Sequence, residues 1–185
     1  MKQNLLNDLK KYDRKSNRLK GFDYSSAGMY FITICTQNRQ CIFEEIANEV
    51  FIINEIGKMI EQHWLQIQDD FCNIKLDSYI IMPNHLHGLI IIEDDTVRSR
   101  LVSDQCIGTR ATPSEIGDII CAFKSKTTNC YIKNVKENNW KSFNKKLWQQ
   151  NYYEHIIRTE ESLAYISEYI RRNPAQWDRD AYYQL

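Results

Sequence analysis

Two apolar runs separated by a Pro-Asn pair constrain this chain more than any other feature. Residues 74 to 82 read IKLDSYIIM, Pro83-Asn84 interrupts, and residues 85 to 92 read HLHGLIII. β-Branched and aromatic residues at this density belong in strands, and a two-residue break between two strands makes a hairpin. Residues 29 to 36, MYFITICT, have the same character and predict a buried strand. Residues 147 to 157, LWQQNYYEHII, predict another.

Helical spacing separates these strands. Residues 50 to 67 place Phe51, Ile52, Ile56, Met59, Ile60, Trp64 and Ile67 on one stripe, which predicts a single amphipathic helix. Ser114, with Gly117 close behind, marks a second helix start; Ile116, Ile119, Ile120, Phe123 and Tyr131 carry that helix to about Val135. Thr159, followed by Glu160 and Glu161, reads as an N-cap with an acidic first turn. The helix it starts should end at Asn173-Pro174, because proline disfavours helical geometry in the residue before it. The order is strand, helix, strand, strand, helix, strand, helix. It predicts an α+β class, a ferredoxin-like split βαβ antiparallel sheet with helices on one face and an added C-terminal helix. Pattern alone does not place that last helix. The 185 residues suit one domain over 28–185, preceded by a basic polar extension over 1–27.

Composition narrows the function classes. The formal net charge is zero, but the charges are uneven: residues 120 to 146 hold Lys124, Lys126, Lys133, Lys136, Lys141, Lys145 and Lys146 against Glu137 alone. A neutral protein can still present a basic face to phosphates; the plainer reading is a solvated helix surface. The six cysteines form no CxxC pair, which argues against a zinc ribbon and for reduced thiols in the core. The first twenty residues are basic but lack an apolar core segment, so a secretion signal is not expected; no run is long enough to span a membrane, and the expected location is cytoplasmic.

Three groups of residues can carry chemistry. In a strand, residues i and i+2 point the same way, so His85 and His87 share a face while Leu86 enters the core. Two imidazoles on one face suit a shared divalent ion; they equally suit the wet side of a half-buried strand. Tyr165, Tyr169 and Asn173 recur every four residues on the last helix. A tyrosine can act as a covalent nucleophile, and an amide oxygen is a hard ligand for Mg²⁺ or Mn²⁺. The same spacing describes two tyrosines packing a helix and an asparagine capping it. The third group, Trp148 to His155, mixes aromatic and polar residues in a way that allows base stacking or simply an amphipathic strand.

Taken together, Tyr30-Phe31-Ile32-Thr33-Ile34-Cys35-Thr36-Gln37-Asn38-Arg39, Met82-Pro83-Asn84-His85-Leu86-His87-Gly88, Ala122-Phe123-Lys124-Ser125, Trp148-Gln149 with Tyr153-Glu154-His155-Ile156-Ile157-Arg158, and Tyr169-Ile170-Arg171-Arg172-Asn173-Pro174 resemble the REP-associated tyrosine transposases within the single-tyrosine HUH group. The match runs from residue 20 to 177. It implies the HUH endonuclease fold, with His85 and His87 as the metal pair around a bulky Leu86, Asn173 as a third ligand, and Tyr169 on the final helix as the nucleophile. Tyr165 is the main rival for that role; Tyr152 and Tyr153 precede the helix and do not fit it. The resemblance further implies a divalent cofactor, Mg²⁺ or Mn²⁺, and cleavage and rejoining of single-stranded or hairpin DNA through a 5′-phosphotyrosine link. Lys124, Lys126, Arg158, Arg171 and Arg172 are the expected DNA contacts, and the protein is expected to be a monomer or a homodimer. Two other activities suit the same scaffold: single-strand binding without catalysis, and phosphodiester hydrolysis by a metal-activated water.

Overall fold

A computed structural model describes residues 27–47, 50–71, 73–94 and 115–183. The basic N-terminal extension lies outside them, as does the polar loop expected at 94–113 apart from Asp94.

Four strands form one antiparallel sheet: β1 (Gly28–Cys35), β4 (Ile74–Met82), β5 (His85–Ile92) and β6 (Tyr153–Ile157), in the order β4-β5-β1-β6. This is the ferredoxin-like order that the sequence pattern predicts. Between β1 and β4 lie a small hairpin, β2 (Glu44–Ala47) and β3 (Val50–Ile53), and two helices, α1 (Glu55–Leu65) and α2 (Ile67–Asp70). The long helix α3 (Ile116–Glu137) precedes β6, and α4 (Glu160–Arg172) follows it.

The faces of the sheet hold different cores. Tyr30, Ile32 and Ile34 of β1 and Leu86 and Ile90 of β5 pack with Trp64 of α1 and Phe123 of α3. The intervening residues Phe31 and Leu89 turn to the other face, where Ile166 and Ile170 of α4 cover them. The helix left unplaced by pattern therefore packs opposite α1 and α3. This arrangement encloses the residues between Phe31 and Leu89, among them Thr33 and His87.

Two expectations are corrected. Residues 50 to 67 do not form one helix. Asn54 accepts from the Gly57 amide at 3.0 Å and so caps α1, leaving Val50–Ile53 to pair with β2. A capped start outweighs helical periodicity that runs on through a strand. Nor do residues 147 to 157 form one strand. Leu147 and Trp148 are buried, and Thr36 bridges to Trp148, but the Lys124 ammonium gathers the carbonyls of Gln149, Gln150 and Asn151 and bends the chain before β6 begins. The last α-helix does end at Arg172, where the Asn173-Pro174 pair predicts it. Asn173 keeps helical angles (φ −55°, ψ −44°), and the chain tightens into a 3₁₀ segment, Asn173–Arg179, with proline in its first turn, where a missing N–H costs nothing. The start of α3 also differs in detail: its N-cap is Glu115, reciprocally bonded with Asp118, and the helix runs to Glu137.

Gly88 shows how tightly the sheet sits on α1. A Cβ there would lie 2.1 Å from Cζ2 of the buried Trp64 ring. Gly88→Ala is expected to destabilise the fold by about 3 kcal/mol, because a rigid buried ring cannot give way cheaply. Chemical denaturation would read the loss, and an unchanged midpoint would show that the ring can move.

Candidate active site

The Pro83-Asn84 turn presents the two histidines. Pro83 accepts from the Ile42 and Phe43 amides at 2.9 and 3.1 Å, and Asn84 O accepts from the Thr36 amide at 2.9 Å. Pairing with β1 then sets His85 opposite Cys35 and His87 opposite Thr33. Both imidazoles are buried, with their Nε2 atoms 3.0 Å apart.

Their outer nitrogens reveal the proton positions. The side-chain N–H groups of Asn84 donate to the carbonyls of Arg39 and Tyr182, at 3.1 and 2.9 Å, which fixes the amide. Its Oδ1 must then accept from His85 Nδ1, at 2.8 Å. The proton of His85 is thus on Nδ1, and its Nε2 carries a bare lone pair. His87 Nδ1 lies 2.7 Å from Thr33 Oγ1, a hydroxyl that can donate or accept. When Thr33 donates, His87 Nε2 holds a proton for His85. When Thr33 accepts, two lone pairs converge, an arrangement that only a cation relieves. Burial pushes His85 down to about 3, with the Arg39 charge adding to the shift. His87 is likewise held well below its ordinary value, first by burial and then by His85, against the opposing pull of Asp180. Neutral imidazole is the form that binds metals.

Helix α4 brings the tyrosine. Thr159 caps it by accepting from the Ser162 amide at 3.2 Å. With Ile166 and Ile170 buried on the sheet, Tyr169 comes to lie over His87. Its hydroxyl is 3.4 Å from His87 Nε2 and donates to Asp180 Oδ2 at 3.3 Å. Phe31 meets the Tyr169 ring edge-on and stacks on His87. Burial raises the Tyr169 hydroxyl above its ordinary value, and the Asp180 carboxylate raises it further. One turn on, Asn173 is 3% exposed; its Nδ2 donates to Asp180 Oδ2 at 3.1 Å, while its buried Oδ1 has no hydrogen-bond partner.

The structure thus brings His85, His87, Tyr169 and Asn173 together. It adds Asp180, whose carboxylate joins the two histidines in a group with all ligand atoms within 4.8 Å of one another. Tyr182 closes the side of His85, with ring centroids 4.8 Å apart. Tyr165, by contrast, is 37% exposed. None of the five expected DNA contacts is among the groups that meet at this centre. Lys124 and Lys126 sit on α3, across the sheet; Lys124 donates to three carbonyls, and Lys126 pairs with Asp70 at 2.5 Å. Burial lowers Lys124 to about 8. Arg158 is exposed after β6, and Arg171 and Arg172 both pair with Glu168.

Sequence reasoning did not single out Asp180, Thr33 or Asn84 as functional. Thr33 was within reach, since antiparallel register alone sets it opposite His87. Asp180 follows a 3₁₀ segment with no periodic pattern to aim it.

No family model matches the chain. An uncharacterized protein of Haemophilus influenzae is 40% identical over 176 residues, covering 93% of this chain and 94% of that one. A second protein of that organism, named as a REP-associated tyrosine transposase, is 25% identical over 157 residues, covering 83% of this chain and 74% of the relative. A solved REP-associated tyrosine transposase, bound to a REP hairpin, superposes with a TM-score of 0.58 at 14% identity, over 88% of this chain and 74% of that one. The chain has the fold of that REP-associated tyrosine transposase. Its donors, two imidazoles beside a carboxylate, fit a divalent metal, and among the described residues no helix is long and apolar enough to cross a membrane.

Proposed function

We propose that this protein is a REP-associated tyrosine transposase that cuts and rejoins single-stranded DNA at hairpins, with Tyr169 as nucleophile. The observation that carries the reading is the Tyr169 hydroxyl 3.4 Å from His87 Nε2, above a pair of neutral imidazoles. His85, His87 and Asn173 would hold the divalent ion, with Asp180 beside them. The orphaned Asn173 Oδ1 supports this set, since a buried amide oxygen without a partner is costly unless something occupies it. When bound, Mg²⁺ or Mn²⁺ supplies a Lewis acid at the scissile phosphoryl oxygen.

The chain's own groups account for the rest. Tyr169 Oη attacks phosphorus, and the bond from phosphorus to the 3′ oxygen breaks. The phenolic proton has Asp180 Oδ2 as its acceptor at 3.3 Å, and the departing 3′ oxygen takes up a proton to become a hydroxyl. The product is a 5′-phosphotyrosine, which keeps the phosphodiester energy and allows rejoining by the same steps in reverse. Because Tyr169 reaches His87 of its own chain, the reading favours a monomer acting in cis. Arg158, Arg171 and Arg172 are proposed phosphate contacts; the pairs with Glu168 are exposed and are readily given up for a phosphate.

A labelled single-stranded hairpin incubated with the protein and Mn²⁺, then run on a denaturing gel, tests the proposal. A metal-dependent DNA-linked protein band supports it. Cleavage without such a band points to hydrolysis by water, and binding without cleavage points to a passive binder. Thr33→Val adds a check on the histidine pair. A valine cannot accept the Nδ1 proton of His87, so Mn²⁺ affinity by titration calorimetry should fall about tenfold; unchanged affinity would remove Thr33 from the site.

A further inference from the structure

Asn84 occupies the tight turn between β4 and β5, a place where asparagine commonly serves the backbone. Hairpin turns favour it because it tolerates the left-handed conformation. That reason is absent here: the residues other than glycine with positive φ are Asn38, Arg39, Asn139 and Lys145, and Asn84 is not one of them. Nor does it point into solvent as a turn tip usually does, since its exposure is 0%.

Its carboxamide is instead fully engaged. Nδ2 donates to Arg39 O, in the turn after β1, at 3.1 Å, and to Tyr182 O, beyond α4, at 2.9 Å. Oδ1 faces His85 Nδ1 at 2.8 Å. A carbonyl can only accept, so the amide cannot flip without setting its oxygen against both. Meeting all three partners takes two donors and an acceptor in one fixed plane. Aspartate lacks the donors, serine has only one, and glutamine sets the group a methylene further out. The main chain is pinned too: Asn84 O accepts from the Thr36 amide at 2.9 Å and the Thr36 hydroxyl at 3.1 Å. Tyr182, whose carbonyl helps to fix the amide, lays its ring against the His85 imidazole. The imidazole is thus held at its outer nitrogen and on its face.

We infer that Asn84 is a positioning residue that keeps the proton of His85 on Nδ1, so that the Nε2 lone pair faces the cation site before any ion arrives. The inference rests on the reading of His85 and His87 as metal ligands and adds what presets one of them. The two histidines differ in this respect. Thr33, beside His87, can donate or accept, whereas Asn84 Oδ1 can only accept. Without that acceptor, His85 is free to carry its proton on Nε2 and give it to His87 Nε2, 3.0 Å away, a bond that shuts a cation out. Moving the proton back to Nδ1 would then leave a buried donor without a partner.

Two variants separate the bonds. Asn84→Ala removes all of the side-chain bonds. Asn84→Asp keeps an acceptor for His85 Nδ1 and removes the donors to Arg39 O and Tyr182 O. Long-range proton–nitrogen NMR of the histidine rings, in metal-free protein, reads which nitrogen is protonated, and titration calorimetry reads Mn²⁺ affinity. His85 should carry Nδ1–H in wild type and in Asn84→Asp, and its proton should move in part to Nε2 in Asn84→Ala. Mn²⁺ affinity should fall at least about tenfold in Asn84→Ala and stay within about threefold of wild type in Asn84→Asp. Unchanged affinity in Asn84→Ala overturns the inference, and so does an equal loss in both variants, which would mean that the side chain only ties the turns together. A proton on Nε2 of His85 in the metal-free wild type overturns it whatever the variants do. Should circular dichroism show that a variant has not folded, the wild-type proton position decides alone. Failure of wild-type protein to bind Mn²⁺ would strike the metal reading, whereas the proton position is read without metal and still decides what Asn84 does.

Discussion

Tyr169→Phe protein incubated with a labelled hairpin and Mn²⁺ should give no DNA-linked band, a loss of more than about 10³-fold in linked product. Only one oxygen is removed, so the result isolates chemistry from packing. The ring keeps its edge contact with Phe31 and its place above His87. The lost hydrogen bond to Asp180 is partly buried, and its removal costs about 1 kcal/mol, too little to unfold a domain of this size. Circular dichroism should therefore match wild type. Tyr165→Phe is the internal control: it lies one helical turn earlier, is exposed, and should link DNA at close to the wild-type rate. If Tyr165→Phe loses the band and Tyr169→Phe keeps it, the nucleophile has been misassigned. If both keep it, the linkage runs through another side chain.

How much of this was legible in the sequence depends on whether a residue's position follows from a period. The strand hairpin at residues 74 to 92, the shared face of His85 and His87, and the burial of Leu86 follow from alternation, and the structure has all three. Tyr169 and Asn173 follow from helical spacing, which also grouped Tyr165 with them. Helix α4 in fact turns Tyr165 outward enough to leave it 37% exposed. What periodicity cannot supply is the side of the sheet on which a terminal helix packs, because the amphipathic stripe of α4 suits either face. Asp180 was illegible for a related reason. It lies beyond a 3₁₀ turn that carries on past Pro174, and its place is set by contacts with Tyr169, Asn173 and the Tyr182 amide. Lys124 has a structural use that its motif does not show. The motif match assigns it to DNA, and its ammonium engages three backbone carbonyls, a use that no local pattern announces.

The second large effect concerns the metal and is read without DNA. At a Mn²⁺ concentration 100 times the dissociation constant, linkage stabilises the native state by about 2.7 kcal/mol. For a chain of 185 residues this corresponds to a rise in melting temperature of about 5 to 10 °C. In His85→Ala/His87→Ala protein the rise should vanish, because both nitrogen donors are gone. The double variant will also melt lower before any metal is added, since Asn84 Oδ1 and Thr33 Oγ1 lose their buried partners. The decisive quantity is thus the metal-induced shift and not the absolute midpoint; a full shift in the double variant would move the metal elsewhere. Asn173→Ala and Asp180→Ala then divide the oxygen side of the site. If the amide is the ligand, Asn173→Ala cuts the shift and Asp180→Ala spares most of it. The reverse result would make the carboxylate the ligand and explain its approach to both histidines. It would also give the metal a second role, because Asp180 belongs to the segment that carries Tyr182 onto His85, and a metal bound there would fasten that segment over the site.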